Sequence, residues 1–171
     1  MEDPRRGTQL TAGRTPTPAT EALEGSGLKH RVVVTEPASS AEESARFQGL
    51  PVERLLKSIV VRRGDDDHLF VLVPGDRQID WRKLRKHLGV SRLSLPERDE
   101  AQRITGYQVG AITPFGSATQ LPVIVDESAM DADVVTVGGG ARGVNIHIAP
   151  GDLLAHLSAD AAEVTSPAST T

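Results

Sequence analysis

The sequence predicts one α/β (α+β) domain, and three observations carry that prediction. Short β-branched runs of strand length recur along the chain, among them residues 30–35 (HRVVVT), 69–73 and 144–148. Between them lie segments with helix-start residues and apolar positions at helical spacing. The length of 171 residues, with 38% apolar and 25% charged, suits one buried core and hardly two.

The elements follow in order. Residues 1–16 are rich in Pro, Gly, Thr and Arg with one isolated Leu, too few apolar groups to offset ordering, so they read as a disordered arm. Thr17 can cap a first helix with Pro18 at its first position, ended by Gly25 and Gly27. The strand at 30–35 follows, then a helix from Ala41 with its acids in the first turn. Pro51 starts a short helical turn. Residues 58–62 and 69–73 are strands joined through the polar turn at 64–67, a hairpin. Asp80 caps a helix whose Trp81, Leu84 and Leu88 share one face, leaving Arg82, Lys83, Arg85 and Lys86 on a basic outer face.

Ser94 and Glu97 have capping-box spacing, with Pro96 inside the first turn of a helix that Gly106 stops. Residues 110–116 (GAITPFG) form an irregular loop. Residues 122–126, 134–137 and 144–148 are strands, and Gly138, Gly139 and Gly140 require a turn or a close backbone approach. Pro150 opens a last helix with Leu153, Leu154 and Leu157 inward. Residues 165–171 (TSPASTT) read as a disordered tail, which leaves a folded span of 17–164 with six or seven strands.

Composition narrows the chemistry. Cysteine is absent, which excludes disulfides, thiolate metal ligands and a cysteine nucleophile. No apolar run reaches about 18 residues, so no membrane span is expected, and no apolar leader marks the N-terminus. The expected compartment is the cytoplasm. A formal charge of -4 argues against broad nucleic-acid binding but not against contact with one RNA end. The five histidines show no ligand spacing, so neither a metal nor a cofactor is expected.

Six pieces in order carry a resemblance. They are TPA at Thr17, LLKSIVV containing Lys57, QIDWRKLRKHLG from Gln78, RITGYQVGAITPFG from Arg103, LPVIVDES from Leu121 and GGGARGVNIHIAPGDLL from Gly138. Together they resemble the YbaK/ProX family, freestanding relatives of the editing domain inserted in prolyl-tRNA synthetases. The resemblance implies a curled, mixed and mostly antiparallel sheet surrounded by helices. It implies hydrolysis of the ester joining a wrong, small amino acid such as Cys, Ala or Ser to tRNA(Pro) or a related tRNA, without metal or cofactor.

On that resemblance Lys57 is the catalytic candidate, placed just before an apolar strand at the sheet rim. Backbone N–H groups of Gly110, Ala111, Ile112 and Thr113 are candidates to hold an oxyanion, which ester hydrolysis requires. Gly139 and Gly140 could bring backbone donors to the substrate, and Asn145 and His147, on one strand face, could line the pocket. Three positions depart from the family pattern. Ala111 replaces a second glycine, and Ala141 and Asn145 stand where better-known members carry Lys and Asp. Asn145 can hydrogen-bond a ribose or amino group but brings no negative charge. The implied partners are the aminoacylated tRNA acceptor end and an aminoacyl-tRNA synthetase. The competing reading is a non-catalytic module of the same fold that binds a tRNA end or a synthetase. A weaker third is a hydrolase of another small acyl ester.

Overall fold

Local chemistry starts the first helix. In the computed structural model, which describes residues 9–10 and 16–168, the Thr17 hydroxyl accepts the Thr20 N–H at 3.0 Å while the Thr20 hydroxyl accepts the Thr17 N–H at 2.8 Å. This reciprocal cap sits ahead of α1 (Pro18–Glu24). Strand β1 (Gln9–Leu10) precedes it and β2 (Arg31–Thr35) follows. Ser40 caps α2 (Ala41–Phe47) through the Glu43 N–H at 3.1 Å. A 3-10 turn at Val52–Arg54 leads into β3 (Leu55–Gly64), which turns at Asp65 and Asp66 into β4 (Asp67–Pro74). Asp66 has φ of 53°, a conformation that aspartate tolerates better than bulkier residues.

Strand β5 (Arg77–Ile79) precedes α3 (Trp81–Leu88), capped by Asp80 through the Lys83 N–H at 3.1 Å. Then come α4 (Arg98–Thr105), β6 (Val123–Asp126), a 3-10 turn at Glu127–Asp131, β7 (Val135–Gly138) and β8 (Val144–Ile148). The chain ends in α5 (Pro150–Leu157), β9 (Asp160–Ala162) and β10 (Thr165–Pro167).

The main sheet runs β1-β2-β8-β7-β3-β4-β6-β9, with β10 and β5 paired apart. Four of the seven pairings in this main sheet are antiparallel, and β3/β7, β4/β6 and β6/β9 are parallel, so the sheet is mixed and mostly antiparallel. Alternation along the central strands fills two cores. Leu56, Val60, Phe70, Leu72, Val123 and Val125 join Leu23 of α1 and Leu153 of α5 on one face. Val61, Leu69, Val71, Val73 and Ile124 meet Leu84 of α3 on the other.

Four expectations change. Residues 165–171 read as a tail, but Thr165–Pro167 pair with β5, and Thr165 is fully buried. Polar bonds rather than apolar period hold them: Arg77 donates to the Thr165 hydroxyl at 2.6 Å, and buried Asp126 accepts the Val164 N–H at 3.1 Å. Of the arm at 1–16, Gln9–Leu10 pair with Thr35 and Val34 on the edge of β2, a backbone ladder that needs no apolar pattern. Residues 1–8 and 11–15 lie outside the described residues. Ser94 caps nothing. It bridges Arg62 through both backbone groups, and α4 starts only after Glu97, which makes no side-chain cap bond. Finally, β3 begins at Leu55, so Lys57 lies inside the strand rather than before it.

Candidate active site

The site forms where a parallel pairing stops. Strands β3 and β7 pair at Leu55↔Thr136 and Leu56↔Val137. Beyond that point β3 continues with β4, and β7 with β8, as far as Gly138↔Asn145. A cleft of about 540 Å³ opens between them. Lys57 and Ser58 form one wall, Gly138, Ala141 and Asn145 another, and Gly110, Ala111 and Ile112 cover it. Ser40, Ala41 and Ser44 at the start of α2 close the remaining side. The place resembles the crevice where open sheets bind ligands, at the carboxyl ends of diverging parallel strands.

Lys57 is half-buried, and its ammonium donates to the Arg77 carbonyl oxygen at 2.8 Å. Burial lowers its pKa below the ordinary lysine value, against the opposing pull of Glu42 and then Asp76. Arg77 is not part of the cleft wall, so in this arrangement the ammonium is tethered to one side. Ser58, next along the strand, has a buried hydroxyl oxygen with no hydrogen-bond partner among the described residues. Such a group is costly unless something in the cleft engages it.

The covering loop is anchored from below. Tyr107 is buried and donates its hydroxyl to the Phe115 carbonyl at 2.6 Å, and burial pushes its pKa up to about 12. Gly110 has φ of 97° with open space where a side chain would be, so it turns the chain without crowding the cleft. The Ala111 N–H is taken by the Gln108 carbonyl at 2.9 Å. Among the described residues the Gly110 and Ile112 N–H groups have no protein acceptor, which leaves these two free to donate. Thr113 is fully buried behind the wall, with its hydroxyl facing the Phe115 N–H at 3.4 Å.

Gly139 and Gly140 sit outside the wall. The Gly139 N–H bonds the Val144 carbonyl at 2.8 Å, and its own carbonyl accepts the Thr17 hydroxyl at 2.5 Å. A Cβ on Gly140 would lie 2.9 Å from Cε1 of Tyr107. These glycines allow close packing of the turn against α1 and the loop, and they do not present donors to the cleft. Asn145 is in the wall, its amide donating to the Val33 carbonyl at 3.1 Å. His147 lies on the same strand face but behind the cleft, 2.9 Å from the amide oxygen of Gln48. Burial, with a smaller contribution from Arg31, lowers its pKa to about 4.

Sequence reasoning missed this Gln48 network. Gln48 is buried, accepts the Thr136 hydroxyl at 2.6 Å and donates to the Ser44 hydroxyl at 3.0 Å, and so fixes α2 against β7 and β8. No local pattern marks it, because its partners are up to 99 residues away. Ser58 was legible only as the residue after Lys57. Among the described residues there is no cluster of three or more histidine, aspartate or glutamate side chains able to hold a metal ion, and no helix long and apolar enough to cross a membrane.

The family model of the aminoacyl-tRNA editing domain matches residues 35–155, which include both walls and the cover of the cleft. A candidate Cys-tRNA(Pro)/Cys-tRNA(Cys) deacylase of Enterococcus faecalis, EbsC, is 28% identical over 77% of this chain and 80% of its own. A proline--tRNA ligase of Thermosipho africanus is 31% identical over 63% of this chain, a stretch covering 19% of the ligase. The crystal structure of a candidate trans-editing enzyme for prolyl tRNA synthetase superimposes with a TM-score of 0.78 at 28% identity, over 89% of this chain and 99% of that one.

Proposed function

This chain belongs to the aminoacyl-tRNA editing-domain family, and from that premise we propose that its cleft hydrolyses the ester between a small amino acid and the 3′-terminal ribose of a tRNA. The amino acid would be of the size of Cys, Ala or Ser, and the tRNA would be tRNA(Pro) or a related one. The relative from Enterococcus faecalis, described as acting on Cys-tRNA(Pro) and Cys-tRNA(Cys), supports that substrate class. The observation that carries the reading is the meeting of Lys57, Gly110, Ile112 and Asn145 around one cleft at the end of a parallel pairing. In this reading the protein works in the cytoplasm, with the tRNA acceptor end as partner and a synthetase as a further one.

The chemistry asks little of a nucleophile. Water adds to the ester carbonyl, negative charge grows on the carbonyl oxygen, and the ribose oxygen leaves with a proton. The Gly110 and Ile112 N–H groups can hold the growing charge, which is stronger in the transition state than in the ester. Lys57 contributes its ammonium once it exchanges the Arg77 carbonyl for the substrate. Asn145 offers its amide to the ribose or the α-amino group, and the unpartnered Ser58 hydroxyl can orient the attacking water or the amino acid.

A second reading rests on that same tether. An ammonium that stays on Arg77 would leave a module that binds a tRNA end or a synthetase without turnover. A deacylation panel of Cys-, Ala- and Ser-charged tRNAs separates the two. Hydrolysis above the spontaneous rate on at least one member supports the enzyme, whereas tight binding with no turnover on any supports the module.

A further inference from the structure

A second cleft, of about 550 Å³, lies at the other end of β3 from Lys57. Four arginines line it, Arg62, Arg63, Arg85 and Arg92, against one carboxylate, Asp65. This concentration occurs in a chain whose formal charge is -4. Arg62 reaches Asp65 at 2.5 Å and Glu100 at 4.0 Å, and Arg63 forms a two-pronged pair with Asp67 at 3.0 and 3.1 Å. A guanidinium has five N–H donors, so both keep donors to offer. Arg85 and Arg92 have no acidic partner among the described residues. Arg82, one turn earlier on α3, and Lys86 are exposed beside them. Lys83 is not part of this surface, because it bonds Glu163 at 2.8 Å.

The chemistry selects the occupant. Planar forks arranged round an open groove fit phosphate oxygens two at a time, and they fit neither a cation nor an apolar group. Five residues of strand place Arg62 about 17 Å from Lys57. A nucleic-acid backbone repeats its phosphates at short intervals, so the strand that enters the Lys57 cleft carries phosphates as far as the groove. We propose that the arginine groove binds the phosphate backbone of the RNA whose 3′ end enters the Lys57 cleft, an inference that rests on the deacylase reading. The groove supplies affinity without reading sequence, which phosphate contacts do in general. It thereby makes a long RNA a better substrate than its terminal nucleoside.

The test uses the full chain and the double variant Arg85→Gln, Arg92→Gln, whose altered side chains have no acidic partner among the described residues and whose melt should match the wild type. Uncharged tRNA(Pro) is titrated at several salt concentrations, and single-turnover hydrolysis is measured on aminoacyl-tRNA and on the same amino acid esterified to adenosine alone. The expected result is a salt slope lower by about 1 for each arginine removed. Hydrolysis of aminoacyl-tRNA at limiting protein should fall, with hydrolysis of the adenosine ester unchanged. An unchanged slope, equal losses on both substrates, or no binding of tRNA by the wild type overturns the groove. If the wild type hydrolyses neither ester, the deacylase reading fails on its own, and the salt titration still decides the groove: a lower slope in the variant supports it and an equal slope removes it.

Discussion

His147 donates its Nε2 proton to the Gln48 amide oxygen at 2.9 Å, and the same oxygen accepts the Thr136 hydroxyl at 2.6 Å. An amide oxygen only accepts, so Nε2 is the protonated nitrogen in this bond. Burial holds its pKa down to about 4, against about 6.5 in an unfolded chain. Between those values the unfolded state binds a proton that the folded state refuses, so stability present above pH 6.5 is lost as pH falls towards 4. His147→Gln keeps a donor and cannot titrate. Thermal melts should therefore fall more steeply in the wild type than in the variant over that window. Parallel curves would mean that burial does not shift the titration of His147.

Two glycine substitutions should separate packing from cleft lining. A Cβ on Gly139 would lie 2.6 Å from Cγ1 and 2.9 Å from the carbonyl oxygen of Val144, so Gly139→Ala should destabilise by about 1–3 kcal/mol. Gly110 has open space but φ of 97°, so Gly110→Ala should destabilise by about 1–2 kcal/mol from backbone strain. Activity per folded molecule should fall for Gly110→Ala and hold for Gly139→Ala. Denaturant melts beside single-turnover rates check this, and the opposite pattern would move the oxyanion donors to the glycine turn.

Asn145→Asp should alter substrate preference more than overall rate. Asn145 lies in the wall, but its amide also donates to the Val33 carbonyl, a bond that a carboxylate cannot make. The Asp side chain is therefore pushed from Val33 towards the cleft, where its charge meets the substrate's amino group. Relative rates on the Cys-, Ala- and Ser-charged panel should shift. Identical relative rates would take Asn145 out of the substrate's reach.

Local chemistry was readable in the sequence wherever an element carries its own stop and start residues. Thr17, Ser40 and Asp80 cap helices, and the aspartates at 65–67 make the central hairpin. Elements held by distant polar bonds were not readable, as β10 and the Gln48 network show. Ser94 misled because capping-box spacing is cheap to match, and a backbone bridge to Arg62 claimed the residue instead. The six ordered motifs brought Lys57, Gly110, Ala111, Ile112 and Asn145 to attention, and the fold gathers these five round one cleft. Gly139, Gly140, Thr113 and His147 came from the same motifs, but packing and burial place them behind it. A motif records which residues travel together and does not say which way each one faces.

Lys57 decides the central claim, because a tethered ammonium either leaves Arg77 for the ester or does not. The measurement is single-turnover hydrolysis of the best-cleaved aminoacyl-tRNA by wild type and Lys57→Ala, beside thermal melts. Removing the bond to the Arg77 carbonyl should cost about 1.5 kcal/mol of stability or less. Removing the charge that favours the transition state should lower the rate by about 10²–10³. Lys57→Arg should also be slow, since a planar fork does not replace a compact ammonium. A well-folded Lys57→Ala protein that deacylates at the wild-type rate would contradict the account.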